Sequence, residues 1–292
     1  NLEFANPVLA ASGTFGFGAA FPAVAARLGG VVTKGLTLEP RAGNPPPRIF
    51  EFPGGIINSV GLENPGVAAF CRDVLPGLAK RKTRLLVNVA GFSIDEYAEI
   101  VARLDGEPVD GFELNVSCPN VKAGGTAFGQ SVAAVERVTR ACRDRTRKPV
   151  AVKLTANFVD PVETAKAAAG AGADAVTLVN TLFGLALDRD GRPFLGGRTG
   201  GISGPALKHF ALFCVDRVAR AVKVPIIGSG GVMTGADAAE FLCAGASLVE
   251  VGTASLVDPA APANVVEELA QWCRRRGARD VAAIVGLTQK GS

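Results

Sequence analysis

Two lysines stand in apolar company: Lys153 lies between Val152 and Leu154, and Lys34 between Thr33 and Gly35. An unpaired buried ammonium costs on the order of several kcal/mol, so each must face an anion or a strong acceptor. Two chemistries meet that need. Such a lysine can form a Schiff base with a carbonyl substrate. It can also act as a fixed cation that stabilises negative charge on a flavin ring or a substrate carboxylate. Cys118 precedes Pro119, in a stretch that runs through Lys122-Ala123-Gly124-Gly125 to Gly129 and has the glycines of a lid. With cations nearby, a thiol of ordinary pKa near 8.5 becomes a general base.

The asparagines point away from hydrolysis. Asn58, Asn88, Asn115, Asn120 and Asn180 supply neutral donors and acceptors suited to a planar ligand with amide edges, such as an isoalloxazine or a pyrimidine. No carboxylate pair suggests glycosidase chemistry. Glu113 precedes Asn115 by two residues and shares its face, which suits a structural partner for a lysine better than an acid catalyst. The single histidine, His209, falls inside a helical pattern that starts at Pro205 and reads as structural. Gly228-Ser229-Gly230-Gly231 and Gly252-Thr253 offer backbone N–H groups to a phosphate, and a helix starting at Thr234 adds its dipole.

These groups need a frame. Apolar runs recur at 7–11, 30–33, 85–89, 111–116, 150–154, 175–179, 225–227 and 247–251, separated by helical patterns. Near-continuous apolar runs of this length suit strands buried on both faces. Eight of them with helical crossovers predict a (β/α)8 TIM barrel, with one catalytic domain over residues 1–292. Polar residues mark every strand end: Ser12, Lys34, Asn88, Asn115, Lys153, Asn180, Ser229 and Thr253. In this fold, catalytic groups gather at those ends, and phosphate binds after strands seven and eight.

Ser93 with Glu96 and Asp160 with Glu163 read as capping boxes, with Pro161 at a first helical position. Asn64, Ser131 and Thr234 read as further N-caps, and Gly170 and Gly245 as helix ends. Val67, Phe70, Val74 and Leu78 form one core-facing helical stripe, and Val132, Val135 and Val138 another. Two long connections, 36–61 and 180–203, read as functional loops.

Composition narrows the class. The 292 residues are 48% hydrophobic and carry a formal charge of +4, with Arg274 to Arg276 the only tight basic run. That excludes disorder and gives little support to nucleic-acid binding. Cysteines 71, 118, 142, 214, 243 and 273 form no CxxC pair, which argues against a structural zinc or a cluster bound by this chain alone and fits a reducing cytosol. No run of 18 apolar residues is present, so no membrane association is expected. The chain begins with Asn rather than Met, and a short N-terminal piece is expected to be missing.

ELNVSCPN at 113–120, NSVGLENPG at 58–66, ASG at 11–13, GSGGV at 228–232 and VGTA at 251–254 together resemble the dihydroorotate dehydrogenases, in matching order from about residue 4 to 260. The resemblance implies a TIM barrel that binds FMN and oxidises (S)-dihydroorotate to orotate in pyrimidine biosynthesis. Carried over by motif, Cys118 removes the C5 proton while hydride passes from C6 to flavin N5. Substrate is held by Lys34, Asn58, Val60, Gly61, Leu62, Asn115, Asn120, Asn180 and Thr181, with Lys34 facing the carboxylate. FMN is held by Ser12, Lys34, Gly35, Asn88, Asn115, Lys153, Val179, Gly204, Gly230, Gly231, Gly252 and Thr253, with Lys153 stabilising negative charge on the reduced ring.

Cys rather than Ser at 118 resembles class 1 of the family, and residues 120–129 (NVKAGGTAFG) resemble its NAD-linked subclass 1B. That subclass implies a homodimer of this chain joined to an electron-transfer subunit carrying FAD and a [2Fe–2S] cluster, as a cytoplasmic heterotetramer. The fumarate-using subclass 1A is the alternative, followed by a Schiff-base lyase on Lys153 and a non-catalytic phosphate-ligand barrel. The N-terminal hairpin usual in the family is short or missing here, which leaves the lower plug of the barrel open to question.

Overall fold

A computed structural model describes residues 2–116 and 128–290. Its strands in chain order are β1 (Val8–Ala10), β2 (Gly30–Val32), β3 (Ile49–Phe52), β4 (Gly55–Asn58), β5 (Arg84–Val89), β6 (Gly111–Asn115), β7 (Val150–Lys153), β8 (Ala175–Leu178), β9 (Leu182–Gly184), β10 (Gly200–Ser203), β11 (Ile226–Ser229) and β12 (Leu248–Val251). The helices are α1 (Pro22–Ala25), α2 (Gly66–Ala69), α3 (Ile94–Asp105), α4 (Val132–Arg143), α5 (Pro161–Gly170), α6 (Lys208–Ala219), α7 (Gly235–Cys243), α8 (Thr253–Val257) and α9 (Ala261–Arg275).

Eight strands close a ring in the order β1-β12-β11-β8-β7-β6-β5-β2, every neighbouring pair parallel. The (β/α)8 barrel read from the sequence is therefore present, with each strand within a few residues of its expected bounds. Alternation along the strands sorts the side chains. Val87, Val89, Phe112, Leu114, Val150, Val152, Val176, Val249 and Val251 pack outward with the helices in the main core. Leu9, Val32, Leu86, Ala151 and Ile227 form a separate apolar cluster with Phe4, Ala175 and Leu248 packed against it. These residues sit at the inward positions and fill the lower barrel, so the barrel's own side chains and Phe4 supply the plug. Above them the inward positions turn polar, which sets up the site.

The two long connections are not plain loops. They contribute β3, β4, β9 and β10, which form an antiparallel sheet in the order β3-β4-β10-β9. Phe50, Phe52, Phe194 and Ile202 pack on Ile57, Ala186 and Leu195 to give this sheet a small core of its own. The hairpin turns at Pro53-Gly54-Gly55, where Gly55 has φ +146° and its Cα faces the Ser203 carbonyl at a distance that leaves no room for a side chain.

The helix signals hold in part. Ser93 caps α3 by accepting from the Glu96 N–H, but the Glu96 carboxylate reaches back one residue further, to the Phe92 N–H at 2.6 Å. Asp160 caps α5 through the Val162 N–H, while Glu163 pairs with Lys166 instead of closing a box. Asn64 accepts from Gly66 N–H at 2.9 Å and Ser131 from Ala134 N–H. Thr234 and Asp237 form the full capping box, at the start of α7. The Val67–Leu78 stripe is not one regular helix: after α2 the backbone widens over Phe70–Val74 and tightens over Leu75–Leu78, where Pro76 cannot continue the ladder. Val132 is exposed at the first turn of α4, whereas Val135 and Val138 are buried. Gly245 takes φ +112° at the end of α7, but beyond α5 it is Gly172, not Gly170, that turns left-handed. Among the described residues, no helix is long and apolar enough to cross a membrane.

Candidate active site

Lys153, the last residue of β7, rises from the polar layer of the barrel and is buried on its flanks. Its Nζ lies 2.6 Å from Glu250 Oε2 and 3.5 Å from Glu113 Oε1. Glu113 also accepts from Asn88 Nδ2 at 2.7 Å and Thr177 Oγ1 at 2.8 Å. The lysine partner expected of Glu113 is therefore Lys153. Strand register explains the grouping, since β5 pairs Asn88 with Glu113 and β7 pairs Lys153 with both Asn115 and Thr177.

Burial opposes the charge on each member of this cluster, and neighbours decide the outcome. Desolvation pushes the Lys153 ammonium down, but the carboxylates of Glu113 and Glu250 outweigh it and hold the pKa above the ordinary lysine value. Desolvation pushes Glu113 up, and Lys153 with its hydrogen-bond donors brings it below the usual carboxylate range. Glu250 goes the other way: burial and the Glu113 charge push it up to about 8 despite Lys153. An amine that two carboxylates hold toward its protonated form is a poor nucleophile, which disfavours the Schiff-base alternative for Lys153.

Above Lys153 the asparagines form a chain. Asn180 Nδ2 donates to Asn115 Oδ1 at 3.2 Å, and Asn115 Nδ2 lies 3.5 Å from Asn88 Oδ1. Asn180 Oδ1 accepts from Thr181 N–H, and Asn157 Nδ2 donates to the Thr181 carbonyl. Tyr97 Oη fixes the Asn115 backbone through its carbonyl at 2.7 Å. On the antiparallel sheet, Asn58 Nδ2 donates to the Gly201 carbonyl. Lys34 Nζ lies 3.7 Å from Glu63, whose other oxygen takes Arg48. The Arg48 hydrogen bond, then Lys34, holds the Glu63 carboxyl below its ordinary range.

These groups enclose a cavity of about 670 Å³ between the barrel mouth and the antiparallel sheet. Seventeen of the expected residues line it: Ser12, Lys34, Gly35, Asn58, Val60, Gly61, Leu62, Asn115, Lys153, Val179, Asn180, Thr181, Gly204, Gly230, Gly231, Gly252 and Thr253. Asn88 does not reach the wall. It is fully buried one layer lower, its amide spanning Glu113 and Asn115. Cys118 and Asn120 lie outside the described residues. The other cysteines are poor bases where burial is deep, for it pushes Cys142 up to about 12 and Cys214 up to about 11.

One wall is built of glycine backbone. Gly204, Gly230 and Gly231 have φ +108°, +122° and +80°. A Cβ on Gly231 would lie 2.8 Å from Lys208 N and 2.9 Å from the Gly204 carbonyl, whereas one on Gly252 would meet nothing nearer than Ala11 Cβ at 3.5 Å. Gly252 is thus bare on its cavity side. Thr253 opens α8 there, its hydroxyl donating to Ser203 Oγ at 2.9 Å. At the start of α7 the Gly235 N–H donates to Glu268 and the Asp237 N–H to the Thr234 hydroxyl, and Thr234 does not line the cavity.

Sequence reasoning passed over Glu250, the sheet residues Ile56, Phe183 and Gly201, and Thr199 just before β10, which also line the cavity or support it. The signal for Glu250 was a carboxylate inside the apolar run LVEV, two residues before Gly252.

Residues 1–272 match the family model for dihydroorotate dehydrogenase. The chain is 50% identical over 293 aligned positions to "Dihydroorotate dehydrogenase B (NAD(+)), catalytic subunit" of Trichlorobacter lovleyi, covering 99% of this chain and 96% of that one. It is 50% identical to the protein of the same description from Desulforudis audaxviator, covering 99% and 95%. Among solved structures, DHODH of Eimeria tenella in complex with ferulenol superposes with a TM-score of 0.82 at 27% identity, covering 99% of this chain and 87% of that one.

Proposed function

The chain belongs to the dihydroorotate dehydrogenase family, and we propose that residues 1–292 act as one catalytic domain of the NAD-linked type, oxidising (S)-dihydroorotate to orotate with FMN in the cavity. One observation carries the cofactor reading. A single cavity joins a fixed cation at its floor, a chain of amides on one side and a bare glycine wall on another. A flavin mononucleotide presents the matching groups: a ring that takes up negative charge, amide edges and a phosphate. The open Cα face of Gly252 and the Gly230-Gly231 backbone leave room for phosphate oxygens, and Lys153 stands where ring charge would be met.

Bound FMN would supply the electron acceptor, and the chain's own residues do the rest. Lys34 pairs with the substrate carboxylate, displacing its long contact to Glu63. Asn58, Asn115, Asn180 and Thr181, with Asn120, hold the pyrimidine ring by its amide edges, while Val60, Gly61 and Leu62 close the sheet side. Ser12, Gly35, Val179, Gly204 and Thr253 complete the cofactor wall, and Asn88 acts from beneath through Asn115. Cys118 takes the C5 proton as general base. Electrons then leave through a partner subunit that carries FAD and a [2Fe–2S] cluster, in a cytoplasmic heterotetramer built on a homodimer of this chain.

The test is anaerobic mixing with dihydroorotate after FMN loading. The flavin absorbance should bleach, and Cys118→Ser should keep FMN while slowing the bleaching at neutral pH at least ~10²-fold, in keeping with loss of a general base. A protein that takes up no FMN, or a variant that bleaches at the wild-type rate, would sink the reading. Re-oxidation by fumarate without a partner subunit would favour the fumarate-using subclass.

A further inference from the structure

We propose that Glu250 carries a proton in the resting protein at neutral pH and, as a positioning residue, sets the charge beneath Lys153, so that at a pH where it has lost that proton one returns to the barrel floor together with the electrons that reach the cavity above. The redox half of this inference rests on the flavin reading just given.

Two carboxylates, Glu113 and Glu250, share the one ammonium of Lys153. Both are fully buried. Among the described residues, no other titratable side chain faces Glu250 from the barrel wall: β5 and β8 contribute neutral Asn88 and Thr177, β11 contributes Ser229, and β1 and β2 are apolar throughout. Lys34, above β2, is engaged by Glu63. With both carboxylates ionised the cluster of these three groups carries a net negative charge in a buried position. Buried groups in that position neutralise instead, and two carboxylates that share a site split, one retaining its proton.

The hydrogen bonds say which one. Glu113 accepts from Asn88, Thr177 and Lys153, a set that favours its ionised form. Glu250 accepts only from Lys153 at Oε2, and its buried Oε1 has no hydrogen-bond partner among the described residues. The Glu250 and Glu113 carboxyls are close enough to interact as a hydrogen-bonding pair, and two ionised carboxylates cannot bond each other. A proton on Glu250 turns the contact into an O–H···O bond and removes the orphan. The upward shift of Glu250, and the downward shift of Glu113, run in the direction this requires.

The consequence is linkage. With Glu250 protonated, Lys153 and Glu113 cancel and the floor is neutral. Once Glu250 ionises, the floor is negative and opposes added electrons. By reciprocity, negative charge arriving over Lys153 raises the proton affinity of Glu250. Where Glu250 is ionised before reduction, a proton is then drawn from solvent and forms the Glu250 O–H bond; where it is already protonated, reduction leaves that proton in place. The electrons come from the substrate, so no further reactant is needed.

Infrared spectroscopy of the FMN-free protein tests the proton directly. A protonated-carboxyl C=O stretch should be present at about pH 6, fade with a midpoint near that of Glu250, and be missing from Glu250→Gln. Its absence from the wild-type protein, or its persistence in the variant, would overturn the proposal. In the FMN-loaded protein at pH above the resting Glu250 midpoint, the midpoint potential should fall more steeply with pH in wild type than in Glu250→Gln, by up to one extra proton per flavin reduced. Equal slopes would overturn the redox half. Failure to take up FMN would overturn the flavin reading with the redox half, while the infrared result still decides where the proton sits.

Discussion

Lys153 is held by two buried carboxylates, and the two do different work. Glu113 anchors three donors from three strands, while Glu250 adds one short contact. If either carboxylate can serve as the counter-charge, replacing one leaves the other. Glu113→Gln and Glu250→Gln keep the volume and should each cost no more than ~2 kcal/mol of unfolding free energy. The double variant strands a buried ammonium, for which ~3–5 kcal/mol is typical. Its loss should exceed the sum of the single losses by at least ~1 kcal/mol. Urea denaturation of the FMN-free proteins gives the three numbers, and simple additivity would show that the carboxylates do not share the charge. The need for an anion at Lys153 was legible from Val152 and Leu154 on either side. The identity of the second anion was not, because Glu250 is 97 residues away and makes contact only when the ring closes.

The strand ends were legible for a physical reason: a parallel strand packed outward against helices must be apolar at alternate positions, so inward polar groups stand out. The antiparallel sheet was harder to see. Ile49–Phe52 and Gly55–Asn58 are half-exposed, and their alternation is short, so they read as loop. That sheet and the glycine turns make the cavity wall, and the turns are not equivalent. Gly231 needs its left-handed backbone and touches Lys208 and Gly204, whereas Gly252 needs neither. Gly231→Ala should therefore lower the melting temperature of the FMN-free protein, at a cost of ~1–3 kcal/mol, and weaken FMN binding with it. Gly252→Ala should change the unfolding free energy by no more than about 1 kcal/mol yet weaken FMN at least ~10-fold, because its methyl group meets only cavity-lining atoms. Thermal melts paired with FMN fluorescence titrations separate the two. A Gly252→Ala protein that binds FMN normally would move the phosphate to another wall.

Across the entire chain, the buried cluster should be visible in how stability varies with pH. The barrel closes its ring around charges that an unfolded chain would hydrate, so folding shifts their protons. Glu250 has a folded-state pKa of about 8, above its ordinary carboxylate value. A group raised in this way contributes stability that is fully present below the unfolded pKa and is lost as pH rises through the folded one. Glu113, lowered, acts oppositely: its contribution is present above the unfolded carboxylate value and is lost in acid as pH falls through the folded one. Lys153, raised, loses its contribution only in strong alkali. Between about pH 5 and pH 8 the Glu250 effect is therefore the one that changes within this cluster. Wild-type stability over that window should fall relative to Glu250→Gln, with a limiting slope of ~1.4 kcal/mol per pH unit for a single proton. The same outcome would follow wherever the helices titrate, because surface pairs such as Arg103–Glu99 and Arg140–Glu136 are common to both proteins and cancel in the difference. Chemical denaturation of the two FMN-free proteins at matched ionic strength measures that difference. A flat difference would mean that Glu250 is already ionised in the folded barrel, and the cluster would then have to be read as a net anion that tightens Lys153 at the expense of its charge.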